Sequence, residues 1–178
     1  MRFAMRRSYK TIRAMPSAPA PLRIEPAVRA DVPLILGFIR ELADYERMLD
    51  KVEATEELLF EQLFGDRPGA EVVIARWDGE PVGFALFFHN FSTFQGRRGL
   101  YLEDLFVRPA YRGQGVGRAL LEYLARAAVS RGCGRLEWSV LDWNEPAIGF
   151  YRALGAVPMS DWTVHRLEGA PLQALAES

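Results

Sequence analysis

Between Leu100 and Arg118 the chain reads LYLEDLFVRPAYRGQGVGR. Six of the first eight residues are apolar, the acidic pair Glu103-Asp104 interrupts them, and Pro109 ends the run, so Leu100 to Val107 is predicted as a largely buried strand. A glycine loop follows, Arg112-Gly113-Gln114-Gly115-Val116-Gly117. Val116, Leu120, Tyr123, Leu124 and Ala127 then recur at three- and four-residue steps, which starts a helix inside the loop and ends it at Gly132. Strand, glycine turn and helix N-terminus are therefore contiguous.

That succession suits an anion. The first N–H groups of a helix have no intrahelical partner, and the dipole places roughly half a positive charge there, so the turn can accept a phosphate or pyrophosphate. Without Cβ atoms at 113, 115 and 117, successive N–H groups can converge on one concavity, with Arg112 as a charged donor beside it. The dinucleotide fingerprint G-x-G-x-x-G and the Gly-Lys-Ser/Thr phosphate loop are both absent. On the residues alone, an ordinary strand-to-helix turn stays open.

The rest of the chain supplies alternating elements. Leu22 to Ala27 reads as a strand, and Asp31 with Pro33 starts a helix whose stripe Val32, Ile35, Leu36, Ile39 and Leu42 runs to about Ala43, closed by Tyr45 and Glu46. Thr55 is a second N-cap, for a helix that ends at Gly65. Ala70 to Trp77 and Pro81 to Phe91 flank Asp78-Gly79, a hairpin signal, and Ser92 to Gly99 reads as a loop. Arg135 to Leu141 is a strand parallel to the central one. Asn144, Pro146 and Gly155 frame a further helix, Asp161 to Leu167 reads as a terminal strand, and GAPLQALAES as a loose tail. Such an order is that of an α/β domain with a mixed sheet, occupying residues 22–178.

Residues 1–21 form the remaining segment, expected as a flexible basic extension; an early start ahead of Met15, a basic arm and an Arg-rich transit peptide all fit it. Its five basic residues precede the first acidic one, so residues 15–178 sum to −6 against −1 for the whole chain. An acidic folded part argues against nucleic acid and for a cationic partner. No apolar run approaches the ~18 residues of a membrane span, and no apolar leader follows the basic residues, so a cytoplasmic protein without membrane contact is expected. Cys133, the single cysteine, fits a reducing compartment, and two histidines, His89 and His165, offer no metal cluster.

The glycine loop resembles the acyl-coenzyme A loop of the GNAT superfamily of N-acetyltransferases, Arg/Gln-x-x-Gly-x-Gly/Ala. From near Ile24 to about Leu167 the chain is similar to the diamine (spermidine/spermine) N-acetyltransferases, most specifically at Tyr101-Leu102-Glu103-Asp104, the loop, Trp143-Asn144-Glu145-Pro146 and Phe150-Tyr151. This resemblance implies the GNAT fold, with a mixed six- to seven-stranded sheet flanked by helices, a homodimer, and transfer of acetyl from acetyl-CoA to a small amine without a metal. It implies that Arg112, Gly113, Gln114, Gly115, Val116, Gly117 and Arg118 hold the pyrophosphate, and that Leu105, Phe106, Val107 and Asn144 meet the pantetheine arm where the fourth and fifth strands separate. Tyr45, Glu46, Glu103 and Asp104 would border the amine. Polyamine-acetylating members carry an acidic residue and a tryptophan where this chain has Ser92 and Phe94, which favours a diamine or a thialysine-like side chain. A protein or peptide amine, or a non-catalytic acyl-CoA module, remains the alternative.

Acetyl transfer needs a base for an amine that is almost wholly protonated at pH 7, donors for charge growing on the thioester oxygen, and a proton for the departing sulfur. The resemblance assigns the first role to Glu103, directly or through water, and the last to Tyr151. Read without it, Glu103-Asp104 could also make solvated or salt-bridged contacts, and Tyr151 is by default an aromatic packed on an apolar helix face. Neighbours on a regular strand face opposite ways, so both carboxylates reach one pocket only across a bulge.

Overall fold

Residues 21–178 are described by a computed structural model of the chain. Of the expected extension, only Pro21 lies within the described residues. Two compact units emerge, one running to Trp138 and the other Ser139–Ser178.

The first unit holds all five strands found among the described residues: β1 Leu22–Pro26, β2 Glu71–Trp77, β3 Glu80–Ser92, β4 Arg97–Val107 and β5 Leu136–Trp138. They lie in chain order in one sheet, antiparallel until β5, which pairs parallel with β4. Helices α1 (Val32–Tyr45) and α2 (Glu56–Phe64) precede β2, and α3 (Val116–Ser130) is the crossover from β4 to β5. The sequence signals hold at several ends. Thr55 Oγ1 accepts from Leu58 N at 3.3 Å, and Asp78-Gly79, both at positive φ, turns β2 into β3.

Strand alternation divides the core in two. Phe84 and Phe106 join Ile35, Phe38, Leu63, Val72 and Ile74 in one buried cluster under α1 and α2, where the Phe38 and Phe84 rings stack at 5.3 Å. On the opposite face Val116, Leu120, Leu121, Leu124 and Ala128 of α3 are buried with Phe87, Leu100, Leu102 and Val107. Burying each such side chain stabilises by roughly 1.5–3 kcal/mol. Arg108 then ties the end of β4 to α1. It meets Glu41 in a two-pronged pair at 2.7 and 3.0 Å, donates to Pro81 O and lies over the Phe38 ring.

Several elements differ from expectation. Ser92 to Gly99 is not a loop: β3 runs through Ser92 and β4 starts at Arg97, leaving a turn whose Gln95 N–H donates to Ser92 Oγ. The expected fifth strand from Arg135 to Leu141 keeps only three residues, because its ladder with β4 stops at Leu102–Trp138. The sheet has five strands rather than six or seven, since Asp161 to Leu167 is irregular. Trp162 and Val164 there are exposed, and alternation alone makes no strand without a paired neighbour.

The second unit contains α4 (Glu145–Ala153) and α5 (Gly169–Ala176). Asn144 caps α4 through Oδ1, which accepts from Ala147 N at 3.4 Å, and Gly155 follows its end at φ +87°. The tail expected to be loose is helical. Pro171 sits in its first turn, and Leu172, Ala174, Leu175 and Ala176 are good helix formers.

Candidate active site

The β3–β4 register is Phe87↔Leu102 and then Leu86↔Asp104, so Glu103 has no partner on β3. Two residues of β4 stand against one of β3, the bulge that the acidic pair required. Asp104 thereby falls on the face of Leu86, Phe84 and Phe106, with Glu103 beside it rather than behind it. Glu103 is exposed and Asp104 half-buried.

Glu46 reaches the same place from α1. That helix ends in a paired turn in which Met48 N–H donates to Ala43 O and Arg47 N–H to Asp44 O, with Arg47 at φ +61° where glycine is usual. A left-handed arginine costs about 1–2 kcal/mol, and the turn it makes carries Glu46 towards β4. Burial raises the Glu46 carboxyl above its ordinary range. Asp104 goes further, pushed up to about 6 by burial first and then by the charges of Glu103 and Glu46. Three carboxylates thus share a partly dry site, and the charges acting on Asp104 are both negative.

This tension is testable on the protein alone. With its folded value above its unfolded one, Asp104 favours folding below about pH 4, and that contribution is lost as pH rises through about 6. Ionised Asp104 therefore destabilises the free protein at neutral pH by about 2–3 kcal/mol. Asp104→Asn is expected to raise Tm by roughly 4–8 °C at pH 7.5, with the gain shrinking towards pH 4.5. Equal effects at the two pH values would remove the charge argument.

Beyond the bulge β4 outruns β5. Arg108 N–H donates to Val82 O, so Phe106 and Arg108 face β3 with their main chain, and Leu105 and Val107 face the edge that β5 has left. No other strand among the described residues takes that edge. A short 3₁₀ turn, Pro109–Tyr111, then leads to the glycines. Gly113 and Gly115 stand at φ +75° and +87°, Gly115 is the N-cap of α3, and nothing lies within 4 Å of where a Cβ would sit on either. Their backbone, not crowding, demands glycine, and the space in front of the turn is open. Ala119 N–H donates to Gly115 O as the first bond of the helix, leaving the amides of Val116, Gly117 and Arg118 without an intrahelical acceptor. Gln114 and Arg118 turn their side chains to Ala110 O and Glu122. An open strand edge leading into an uncapped helix start fits an amide-bearing chain ending in a pyrophosphate.

Arg112 is not aimed into the turn. Its Nε donates to Val107 O at 2.9 Å and its guanidinium lies 4.5 Å from the centre of the Tyr45 ring. The 67-residue gap between these partners hides the pairing from the sequence, as it hides the grip of Arg108 on Glu41. Ser92, where an acidic residue was sought, is buried, and Phe94 is 95% exposed in the turn after it. Tyr151 and Asn144 belong to the second unit, where Tyr151 stands on α4 with its ring 5.3 Å from that of Phe150. Among the described residues no group of His, Cys, Asp and Glu could hold a metal, and no helix is long and apolar enough to cross a membrane.

The family model of the acetyltransferase (GNAT) family matches residues 37–156, which span the bulge, the open edge and the glycine turn. The chain belongs to that family and is an acetyl-transferring enzyme. Among curated relatives, the thialysine N-epsilon-acetyltransferase of Bos taurus is 40% identical, over 86% of this chain and 96% of its own length. An L-ornithine N5-acetyltransferase of Arabidopsis thaliana is 33% identical, over 86% and 87% respectively. Among solved structures, an integron cassette protein from the mobile metagenome of V. cholerae superposes with a TM-score of 0.75 at 30% identity, covering 89% of this chain and 99% of that one.

Proposed function

We propose that this enzyme takes the acetyl group from acetyl-CoA and places it on a primary amine of a small cationic acceptor, a short diamine or a thialysine-like side chain. One observation carries the reading: the bulge gathers Glu103, Asp104 and Glu46 immediately before the open edge of Leu105 to Val107. Relatives acting on thialysine and ornithine support the acceptor class.

Acetyl-CoA supplies the thioester that acylates the amine. Leu105 and Val107 would pair with its pantetheine arm, and the turn from Gly113 to Arg118 would hold its pyrophosphate through N–H groups. Glu103, the exposed member of the pair, takes the ammonium proton, directly or through water. Asp104 and Glu46 hold the second ammonium, whose charge relieves their mutual repulsion. Tyr151 gives a proton to the departing sulfur, and Asn144 contributes to the cofactor side. With Ser92 Oγ engaged by Gln95 N–H, no carboxylate stands there for a third cationic group.

Release of free thiol from acetyl-CoA with a panel of amines tests the reading. Values of kcat/KM should favour short diamines and thialysine over spermine, and Glu46→Gln should raise KM for a diamine more than for a monoamine. A profile climbing to spermine would refute the size preference. Activity confined to neutral or anionic amines would remove the cationic acceptor altogether.

A cytoplasmic homodimer completes the reading. The lone Cys133 suits a reducing compartment, and in the second unit Val157, Met159, Trp162 and Val164 expose apolar surface of the kind that a partner covers. Sedimentation at micromolar concentration should give twice the chain mass; a monomer there contradicts the dimer.

A further inference from the structure

Arg112 is oddly employed for a cation next to an anion-binding turn. Its partners are a carbonyl and two ring faces: Val107 O at 2.9 Å, Tyr45 with 4.5 Å to the ring centre, and Phe106 with 5.6 Å. It pairs with no carboxylate among the described residues, although three lie on the neighbouring strand and helix end. The Nε bond closes a short loop, since Val107 ends β4 and Arg112 adjoins Gly113. Inside that loop Tyr111 N–H donates to Arg108 O and Arg112 N–H to Pro109 O. Arg112 thus links the end of β4 to the entry of the glycine turn, and Tyr45 stacks on its guanidinium. That residue is the last of α1, next to Glu46.

We propose that Arg112 is a positioning residue that couples the two substrate sides: Tyr45 clamps the guanidinium, the guanidinium pins Val107, and the pinned loop presents the glycine turn to coenzyme A. This inference rests on the acetyl-CoA reading above. A cation over an aromatic face contributes modestly in water and more when desolvated, and the planar guanidinium stacks while offering Nε in its own plane. Lysine does neither. Because coupling of binding is reciprocal, the tie that tightens the turn for coenzyme A also orders the Tyr45–Glu46 corner for the amine.

Coenzyme A binding measured by calorimetry on the full chain, without any amine, tests this. Tyr45→Leu should weaken binding about three- to tenfold, although Tyr45 lies outside the turn, whereas Tyr45→Phe, which keeps the ring face, should stay within about twofold of wild type. In the Arg112→Gln background Tyr45→Leu should add nothing, because the link is already cut. Arg112→Lys should behave as Arg112→Gln. The proposal is overturned if Tyr45→Leu leaves affinity unchanged, if its effect multiplies independently with that of Arg112→Gln, or if Arg112→Lys restores wild-type binding, for then charge alone matters. Wild-type protein that fails to bind coenzyme A would instead overturn the acetyl-CoA reading, and this inference with it.

Discussion

Gly115→Asp is expected to lower coenzyme A affinity at least 100-fold while leaving a folded protein. Position 115 stands at φ +87°, a region aspartate tolerates better than most residues, at a strain of about 1–2 kcal/mol. It is also the N-cap of α3, where a negative charge interacts well with the dipole of the orphan N–H groups. The new side chain thus offsets part of its own strain. Those are the same N–H groups that the pyrophosphate would use, and the added negative charge repels it from the space that is now open. Gly115→Ala separates the causes: it brings the strain and no charge, so its affinity should fall much less. Calorimetry beside a thermal melt reads both quantities. Coenzyme A bound by Gly115→Asp as by wild type would move the phosphate site away from this turn.

How much of this was legible depends on how local each signal is. The strand, the glycines and the helical stripe of α3 follow one another within the chain, so pattern alone placed them, and caps such as Thr55 and Asn144 name themselves by residue type. The bulge is different. It is a relation between β3 and β4, and nothing in YLEDLF states that Leu86 will face Asp104. The sequence could say only that both carboxylates needed it. Arg47 is illegible for another reason, because the left-handed residue ending a helix is expected to be glycine or asparagine, and an arginine gives no sign of the turn that brings Glu46 in. Strand length failed wherever pairing, not propensity, decides it. Ser139 to Leu141 keep their strand-like composition, yet the ladder with β4 stops at Leu102–Trp138, and Asp161 to Leu167 is irregular despite its alternation. The open edge, the feature that would receive pantetheine, is created by that same failure of β5 to continue.

Tyr151→Phe is the sharper test of the chemistry, with an expected loss in kcat of about 10²–10⁴-fold. The substitution removes one oxygen and keeps the ring, so the contact with Phe150 and the α4 backbone bonds from Leu154 and Ala156 to Tyr151 O survive. If the phenol gives its proton to sulfur as the thioester breaks, the interaction exists mainly in the transition state, and kcat should fall while the coenzyme A dissociation constant stays within about twofold. A purely structural tyrosine would behave the other way, with a lower Tm and near-normal turnover per folded molecule. The chemistry offers a second reading of the same role. A leaving group that needs no proton should rescue the variant, so an acetyl donor with a more acidic thiol should narrow the gap between Tyr151→Phe and wild type. Wild-type turnover by Tyr151→Phe, or a deficit that ignores the acidity of the leaving thiol, would take the general-acid role away from this residue.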